Sequence, residues 1–511
     1  MSESSIPGAP VVIVGAGPVG LAGALLLARH GVPSVVLEAL PARSAIGSRA
    51  ICVQRDVLDI LERVGLGRTL VDAGMTWYTG RIYYQRHEVF TITFPDTGTG
   101  DFPPFVNISQ TDVELLLERQ VRAEPLIDLR FGHRVVGLSA DEDGVDVRSS
   151  TVDGEVVFRG THCLAADGGR SAVRELLGLS FAGQTFHDQF LITDIRAKLP
   201  YPVPERRFYF DPPANPGRQV LLHPQPDSVW RIDWQVSDDF DVAADDLDSR
   251  VRAIVGDTDY DPIWMSVYRS HQRRAPTMLV GRVLLAGDAA HVMTPFGARG
   301  MNSGISDAEN AAWKIALDRA GQAGPALLAS YDHERCAAAE ENLRVTGNTM
   351  RFLVPRTERE RAHRLDVLER SVHDPAARAE IDSGKLAEPF WYLDSPLTTL
   401  GDPVELAGFP TAPGAVRPVL PGVLCPNVFL PGGRRLRDEL GRGFSVLAGS
   451  RARISASTDR VVVVPASVAE TLRFGPDGAA LVRPDGYLAT VLTGGDLDAD
   501  LRAARRRACG W

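Results

Sequence analysis

Apolar positions fall into two patterns along this chain, and the changes between them predict its architecture. Short unbroken aliphatic runs suit strands covered on both faces. They occur at Val11-Val12-Ile13-Val14, Ser34-Val35-Val36-Leu37 and Val283-Leu284-Leu285-Ala286. The first run leads directly into Gly15-Ala16-Gly17-Pro18-Val19-Gly20 and a helical pattern that stops near His30-Gly31, where glycine can take the left-handed turn that ends a helix. The third run ends in Gly287-Asp288, and a helical pattern follows from Ser303 to Leu317. Elsewhere the spacing is strand-like. Residues 73–100 carry Trp77, Tyr78, Tyr83, Tyr84 and Phe90, and residues 180–274 read as several strands, among them Arg207 to Phe210, Gln219 to His223 and Trp230 to Val236, with Pro and Gly between them.

Beyond residue 350 the pattern changes twice. Residues 351–394 are charged and predict helices packed on the core, whereas Pro and Gly crowd the stretch from Pro396 to Pro426, which suits a linker between separately folded units. Strand and helix signals resume through Phe444 to Leu447, Val461 to Val464 and Leu481 to Leu488. The expected class is α/β. A Rossmann-like domain is assembled from discontinuous segments (1–72, 101–178 and 275–350), with a β-sheet domain (73–100 and 179–274), a helical connector (351–394) and a small C-terminal α/β unit (395–511).

Bulk properties narrow the function. With 511 residues, 44% hydrophobic and 23% charged, the chain can bury several ordinary globular cores. Its net charge of -10 disfavours nucleic acid as a partner. Five scattered cysteines without a C-x-x-C pair or a metal-ligand spacing fit a reducing cytoplasm. No targeting segment and no membrane anchor are read, since the apolar run from Val11 to Leu27 holds four glycines and a proline and is short for a span.

The candidate chemistry starts at Gly15, Gly17 and Gly20. One glycine permits the tight turn, the next lets a pyrophosphate approach the backbone, and the third lets helix and strand pack closely. Pro18 and Val19 open the helix whose amide end would face the phosphates. Glu38, followed by Ala39, closes the second strand at the distance expected of an acid that accepts ribose hydroxyls. The motif marks a dinucleotide without separating FAD from NAD.

Two further motifs follow in order. Ala166-Asp167-Gly168-Gly169-Arg170 precedes a helical start, and Gly287-Asp288 precedes Pro295, Gly297, Gly300, Met301 and Asn302. Over roughly the first 350 residues this order resembles the class A flavoprotein monooxygenases typified by para-hydroxybenzoate hydroxylase. The resemblance implies FAD as cofactor and NADPH or NADH as electron donor. It also implies a small aromatic substrate, hydroxylated with O2 through a flavin C4a-hydroperoxide. Asp288 would accept ribityl hydroxyls, the 295–302 loop would lie along the isoalloxazine edge, and Asp167 would adjoin the phosphates. Arg49 and Gln110 match cofactor-contacting residues of the class. The C-terminal unit resembles the thioredoxin-like tail of the larger aromatic hydroxylases, and without C-x-x-C it is not expected to be redox-active.

No catalytic residue and no metal ligand is assigned. Tyr209, His223, Asp233, Trp234 and Tyr268 are the polar or aromatic groups near the expected pocket, and residues of these types are more often satisfied sheet residues. A halogenase reading is disfavoured because Trp230-Arg231-Ile232-Asp233-Trp234 lacks a W-x-W-x-I-P segment. A Baeyer–Villiger or polyketide-tailoring oxygenase and a non-catalytic flavin-binding module stay open, as does pairing with a second copy of the chain.

Overall fold

The computed structural model describes residues 8–43, 50–94, 101–201, 203–399, 409–410, 417–455 and 459–511. Its first layer is a six-stranded sheet in the order Leu279–Val280, Val283–Leu285, Cys163–Ala165, Val11–Val14, Ser34–Glu38 and Ile127–Phe131. All neighbours run parallel except the edge strand Leu279–Val280. The aliphatic runs make this possible: Val11 to Val14 and Val283 to Leu285 are wholly buried, as strands with helices on both faces must be.

Two helices pack against this sheet and against each other. Pro18–Arg29 buries nine of its twelve residues, and Gly300–Arg319 buries most of its twenty. Gly23 marks the close approach, because a Cβ there would lie 2.7 Å from Leu164 Cδ2 and 3.6 Å from Ala308 Cβ. Helices exposing so little of their surface belong inside a large core.

The second layer is an eight-stranded sheet in the order His291–Val292, Tyr260–Arg274, Ala182–Ala197, Val229–Val236, Gln219–Pro224, Glu205–Phe210, Thr79–Tyr84 and His87–Thr93. One face packs Trp230, Ile232, Trp234 and Val236 against the helix Leu247–Val255. The other, here called the inner face, carries Phe190, Ile192, Phe208, Phe210 and Leu221, and Phe296 packs onto it. A three-stranded sheet of Cys52–Gln54, Phe105–Asn107 and Met75–Thr76 bridges the two layers: Asn107 Nδ2 donates to Pro224 O (2.8 Å), and Asn302 Nδ2 donates to Cys52 O (2.9 Å). A separate antiparallel sheet, Arg134–Ala140, Val145–Thr151 and Gly154–Gly160, was not singled out in the sequence.

The C-terminal sheet has the order Arg460–Val463, Ser445–Ala448, Ala479–Val482, Leu488–Leu492, with only the first pair parallel. It is flanked by Ala466–Thr471 and Leu497–Ala508, a thioredoxin-like arrangement. Much of the expected linker, residues 400–408 and 411–416, lies outside the described residues, and residues 417–511 share a buried ionic interface with the rest of the chain. Glu334 accepts from Lys314 Nζ (2.8 Å), Arg483 Nη1 (2.6 Å), Asn310 Nδ2 (2.8 Å) and Ser395 Oγ (2.6 Å). Arg437 and Arg435 pair with Asp59, and Arg417 with Asp56. Burial pushes the Glu334 carboxyl up, but Arg483 and Lys314 outweigh it and hold it well below the usual range. Buried charges tolerate this only when each has partners, so the unit is built into the core.

No helix among the described residues is long and apolar enough to cross a membrane. None of their His, Cys, Asp and Glu side chains cluster as a metal site, and all five cysteines are free thiols.

Candidate functional site

Three glycine motifs meet at one edge of the first sheet, and their crowding explains the residue types. A Cβ on Gly15 (φ +101°) would lie 2.4 Å from Ala166 O, and one on Gly20 would lie 1.9 Å from Gly15 O. Chain therefore crosses chain with no room for a methyl group. Val19 is the wedge between the first motif and the third: a Cβ on Gly304 would lie 2.5 Å from Val19 Cγ2, and one on Gly287 (φ +59°) 3.0 Å from it. Gly17 and Gly300 differ, since a Cβ on either would meet nothing within 4 Å. Each stands at the amino end of one of the two long helices, neither end is capped by a side chain, and neither first turn holds an acid. Open space in front of two unsatisfied amide ends fits a pyrophosphate and an anionic ring edge.

Glu38 reaches back over the turn, accepting from Ala16 N (2.9 Å) and Leu40 N (2.9 Å), and its oxygens keep lone pairs for hydroxyl donors. Ala39 follows it at the strand end. Asp288 lies half-buried in the turn Gly287–Ala289, which Asp307 anchors from below. Asp307 accepts from Gly287 N (2.9 Å), His291 Nε2 (2.8 Å) and Arg335 Nε (2.6 Å). Burial raises the Asp307 carboxyl, yet Arg335 and His291 bring it below its ordinary value. His291 is thereby tied to Asp307 beneath the turn.

Asp167 is likewise committed locally. It accepts from Ser171 Oγ (2.6 Å) and Val173 N (3.1 Å), capping the short helix Ala172–Leu176. Its backbone still abuts the Gly15 turn. Arg174 completes the junction, donating to Gly169 O and Ala289 O, both at 2.9 Å. Gln110 accepts from Ala50 N (3.2 Å) and donates to Glu114 (2.8 Å). Arg49 lies outside the described residues.

The loop from Pro295 to Asn302 is held from both sides. Asn302 Oδ1 accepts from Gln54 N (3.0 Å), and its Nδ2 donates to Ala298 O (2.7 Å) as well as to Cys52 O. Gln54 Nε2 donates to Gly297 O (3.1 Å), and Arg299 Nη2 to Lys385 O (2.9 Å). Gly297 (φ +82°) must be glycine, because a Cβ would lie 2.3 Å from Lys385 O. Met301 is buried in the first core. The loop carries Phe296 onto Phe190 and Phe208, ring centroids 5.4 and 6.4 Å away.

That contact brings the inner face of the second sheet to the loop. Cross-strand pairing aligns Phe208, Leu221, Asp233 and Ile192 in one rung and His223, Arg231 and Asp194 in the next. Arg231 is neutralised by a two-pronged pair with Asp194, both bonds at 2.8 Å. His223 Nε2 stands 3.6 Å from Asp233 Oδ2. Arg206, two residues before Phe208, donates to Ser383 O (3.3 Å). The His223 and Asp233 side chains keep 15% and 19% of their surface accessible, although burial dominates the titration of both. Burial pushes Asp233 up to about 7 against the pull of Arg231, and pushes His223 well below its ordinary value. The accessible part of these two side chains borders the space here called the chamber.

Of the five pocket groups considered from sequence, His223 and Asp233 meet here. Tyr268, cross-strand partner of Phe190, packs beside the apolar inner face. Trp234 is buried on the opposite face, and Tyr209 stacks on Tyr83 at 4.6 Å. Sequence reasoning missed Arg206, Cys52, Gln54 and Asp307. For Arg206 the alternation Arg206-Phe208-Phe210 was the available signal, since it puts a cation on a strand's apolar face.

A family model described as "FAD binding domain" matches residues 8–346. The chain belongs to this family. A second model, described as "Aromatic-ring hydroxylase, C-terminal", matches residues 419–511. Family membership accounts for the cradle: FAD is the dinucleotide. Among known proteins the chain is similar to the 3-(3-hydroxy-phenyl)propionate/3-hydroxycinnamic acid hydroxylase of Comamonas testosteroni, 32% identical over 340 residues covering 65% of this chain and 57% of that one. It also resembles a Burkholderia vietnamiensis protein of the same description, 29% identical over 86% of this chain and 78% of that one. The chain spans a little over half the length of the first of these curated relatives. Among solved structures it resembles the flavin-dependent monooxygenase PieE, in complex with FAD and substrate, with a TM-score of 0.85 and 25% identity, covering 98% of this chain and 99% of that one. The fold of this FAD family member is thus that of the class A monooxygenases along nearly the whole chain.

Proposed function

We propose that this protein is an FAD-dependent, NAD(P)H-consuming monooxygenase that hydroxylates a phenolic or polycyclic aromatic ring. The observation carrying the reading is the chamber itself: the loop that borders the dinucleotide cradle also presses Phe296 onto an apolar sheet face bearing Arg206, His223 and Asp233. An aromatic ring suits such walls, and polar groups at one end would fix its orientation. The names of the similar proteins support the same substrate class.

In this reading Gly15, Gly17, Pro18, Val19 and Gly20 cradle the pyrophosphate, and Glu38 with Ala39 holds the adenosine ribose. Gly287 and Asp288 take the ribityl chain, while Gln110 and Arg49 lie along it. Pro295, Gly297, Gly300, Met301 and Asn302 present backbone to the flavin edge, and Asp167 shapes the phosphate end through its helix cap. When bound, the flavin takes electrons from NADH or NADPH and activates O2. The chain's own part is to shut water out of the chamber and keep the ring facing the flavin.

The test is NAD(P)H oxidation by the full-length, FAD-loaded protein, with and without 3-(3-hydroxyphenyl)propionate and a set of polycyclic phenols. Stimulation together with a product heavier by one oxygen is expected. FAD-loaded protein indifferent to every phenol would overturn the reading.

A further inference from the structure

Two buried polar atoms in the chamber have no partner: Asp233 Oδ1 and Arg206 Nε. Such orphans are rare in a folded interior and call for a reason. Arg206 is the more unusual, because among the described residues no carboxylate stands within ion-pair distance of it, whereas neighbouring Arg207 pairs with Glu205 and Arg231 with Asp194. Burying a guanidinium without a counter-charge is expensive unless an anion joins it. We propose that Asp233, with His223 beside it, takes the proton from the substrate's phenolic hydroxyl, and that Arg206 holds the oxygen anion so formed. This assignment rests on the phenol-hydroxylating reading above.

The placement favours a ligand entering from the flavin side. His223 precedes Pro224, whose carbonyl accepts from Asn107, and Asn107 is the cross-strand partner of Cys52, whose carbonyl accepts from Asn302. A short relay of hydrogen bonds therefore fixes His223 relative to the loop. Asp233 lies on the rung between Leu221 and Ile192, so its unpartnered, buried oxygen sits on a rung whose neighbours are apolar.

The proton transfer balances without further reagents. The phenol O–H bond breaks and an O–H bond forms on the Asp233 carboxylate. The electron pair stays on the phenol oxygen, from which it enriches the ring carbons, and the guanidinium of Arg206 offsets the charge. The proton then leaves Asp233 for water, while His223, kept neutral, flanks the carboxyl with Nε2 at 3.6 Å.

The electrostatics agree. Asp233 is faced by Arg231 on its own strand, Asp194 and His223 on the flanking strands and Arg206 beyond. Burial, the largest influence, lifts it to about 7, aided by Asp194 and opposed by Arg231 and Arg206. Burial, followed by Arg206 and Arg231, keeps His223 neutral. Across from Arg206, the Cys52 thiol is pushed up to about 12 by burial and contributes no charge. A carboxylate that ionises near neutral pH is matched to a general base.

The experiment uses FAD-loaded full-length protein, 3-(3-hydroxyphenyl)propionate as the turnover probe, and 2-hydroxyanthraquinone, whose colour reports its ionisation, as the binding probe. Phenol-stimulated NAD(P)H oxidation by the wild type should rise with pH along a limb near 7. Asp233→Asn should remove that limb and lower the rate at least about tenfold, while Asp233→Glu keeps a limb. Arg206→Gln should raise the apparent pKa of bound 2-hydroxyanthraquinone by about one unit or more. His223→Gln gives an independent variant, expected to slow turnover while the bound dye stays ionised. Flavin content and melting temperature are measured for each. Phenols that bind and stimulate with the same pH profile and dye ionisation in all variants would overturn the assignment and leave the hydroxylase reading standing. Phenols that neither bind nor stimulate would remove that reading, and this assignment with it.

Discussion

Glycines 17 and 20 stand three residues apart at the start of one helix, yet the structure gives them opposite duties. A methyl group on Gly20 would lie 1.9 Å from the Gly15 carbonyl, so the backbone itself must move to admit it. On Gly17 the same methyl group meets nothing within 4 Å and occupies only the space in front of the helix amides. Gly17→Ala should therefore fold to the normal melting temperature and lose FAD affinity by about one to two decades, equivalent to roughly 1.4–2.7 kcal/mol. Gly20→Ala should fail to accumulate as folded protein even with excess FAD. Fluorescence titration of FAD and thermal melting check the pair. A Gly17→Ala protein that binds FAD as tightly as the wild type would show that the open space is not the cradle.

At the scale of elements, the clamp around the Pro295 to Asn302 loop makes the sharpest prediction. Asn302 uses both ends of its amide to tie Gln54, Cys52 and Ala298 together, and it is 4% exposed. Asn302→Ala would leave buried groups unpaired, at about 1–3 kcal/mol each, and loosen the loop against the sheet. On the proposed monooxygenase reading, NAD(P)H consumption should continue, with a larger share of it ending as hydrogen peroxide. Peroxide yield per NAD(P)H measures this, and an unchanged yield counts against the clamp.

These elements also show what was legible in the sequence. The glycine turns and buried aliphatic runs could be read because they depend on neighbours within about twenty residues: Val11 to Val14 with Gly15, or Val283 to Leu285 with Gly287. The strands around Phe208, Leu221 and Trp234 could be read from alternation. Which alternate side faces the chamber could not, since that depends on Phe296 arriving from some seventy residues beyond. Asn302 was expected beside the cofactor; that its side-chain amide also ties to Cys52, 250 residues away in sequence, could not be read. Arg206 sits in a charged stretch, Glu205-Arg206-Arg207; alternation with Phe208 puts it on the apolar face, but only the packed structure shows that it has no carboxylate partner among the described residues while Arg207 pairs with Glu205.

The whole molecule is tied together by charge as much as by apolar contact. Glu334, from the long helix Ala326–Leu353, is satisfied partly by Arg483 of the C-terminal unit. Its carboxyl is held below its ordinary 4.5 in the folded protein. As pH falls, the unfolded chain thus takes up the proton first. The stability this pair supplies is complete above about 4.5 and drains away below it. Removing one partner of a buried pair typically costs about 3–5 kcal/mol. Arg483→Ala should lower the melting temperature at pH 7 and flatten its decline below pH 4.5. Parallel melting curves for variant and wild type across that range would contradict the account. Truncation near residue 400 should also yield insoluble protein, since it strips partners from Asp56 and Asp59 as well.

The order of strands in the first sheet has a consequence in time. Val11–Val14 lies between Cys163–Ala165 and Ser34–Glu38, and the strand beyond Cys163–Ala165 is Val283–Leu285. A ribosome adding about 5–20 residues per second delivers that last strand on the order of tens of seconds after the first. For about the first half of that interval Val11–Val14 lacks its neighbour Cys163–Ala165, and for the second half Cys163–Ala165 lacks Val283–Leu285. Slowing translation between the first and last of these strands should therefore lengthen the chain's dependence on chaperones, whereas slowing it after Arg319 should matter far less.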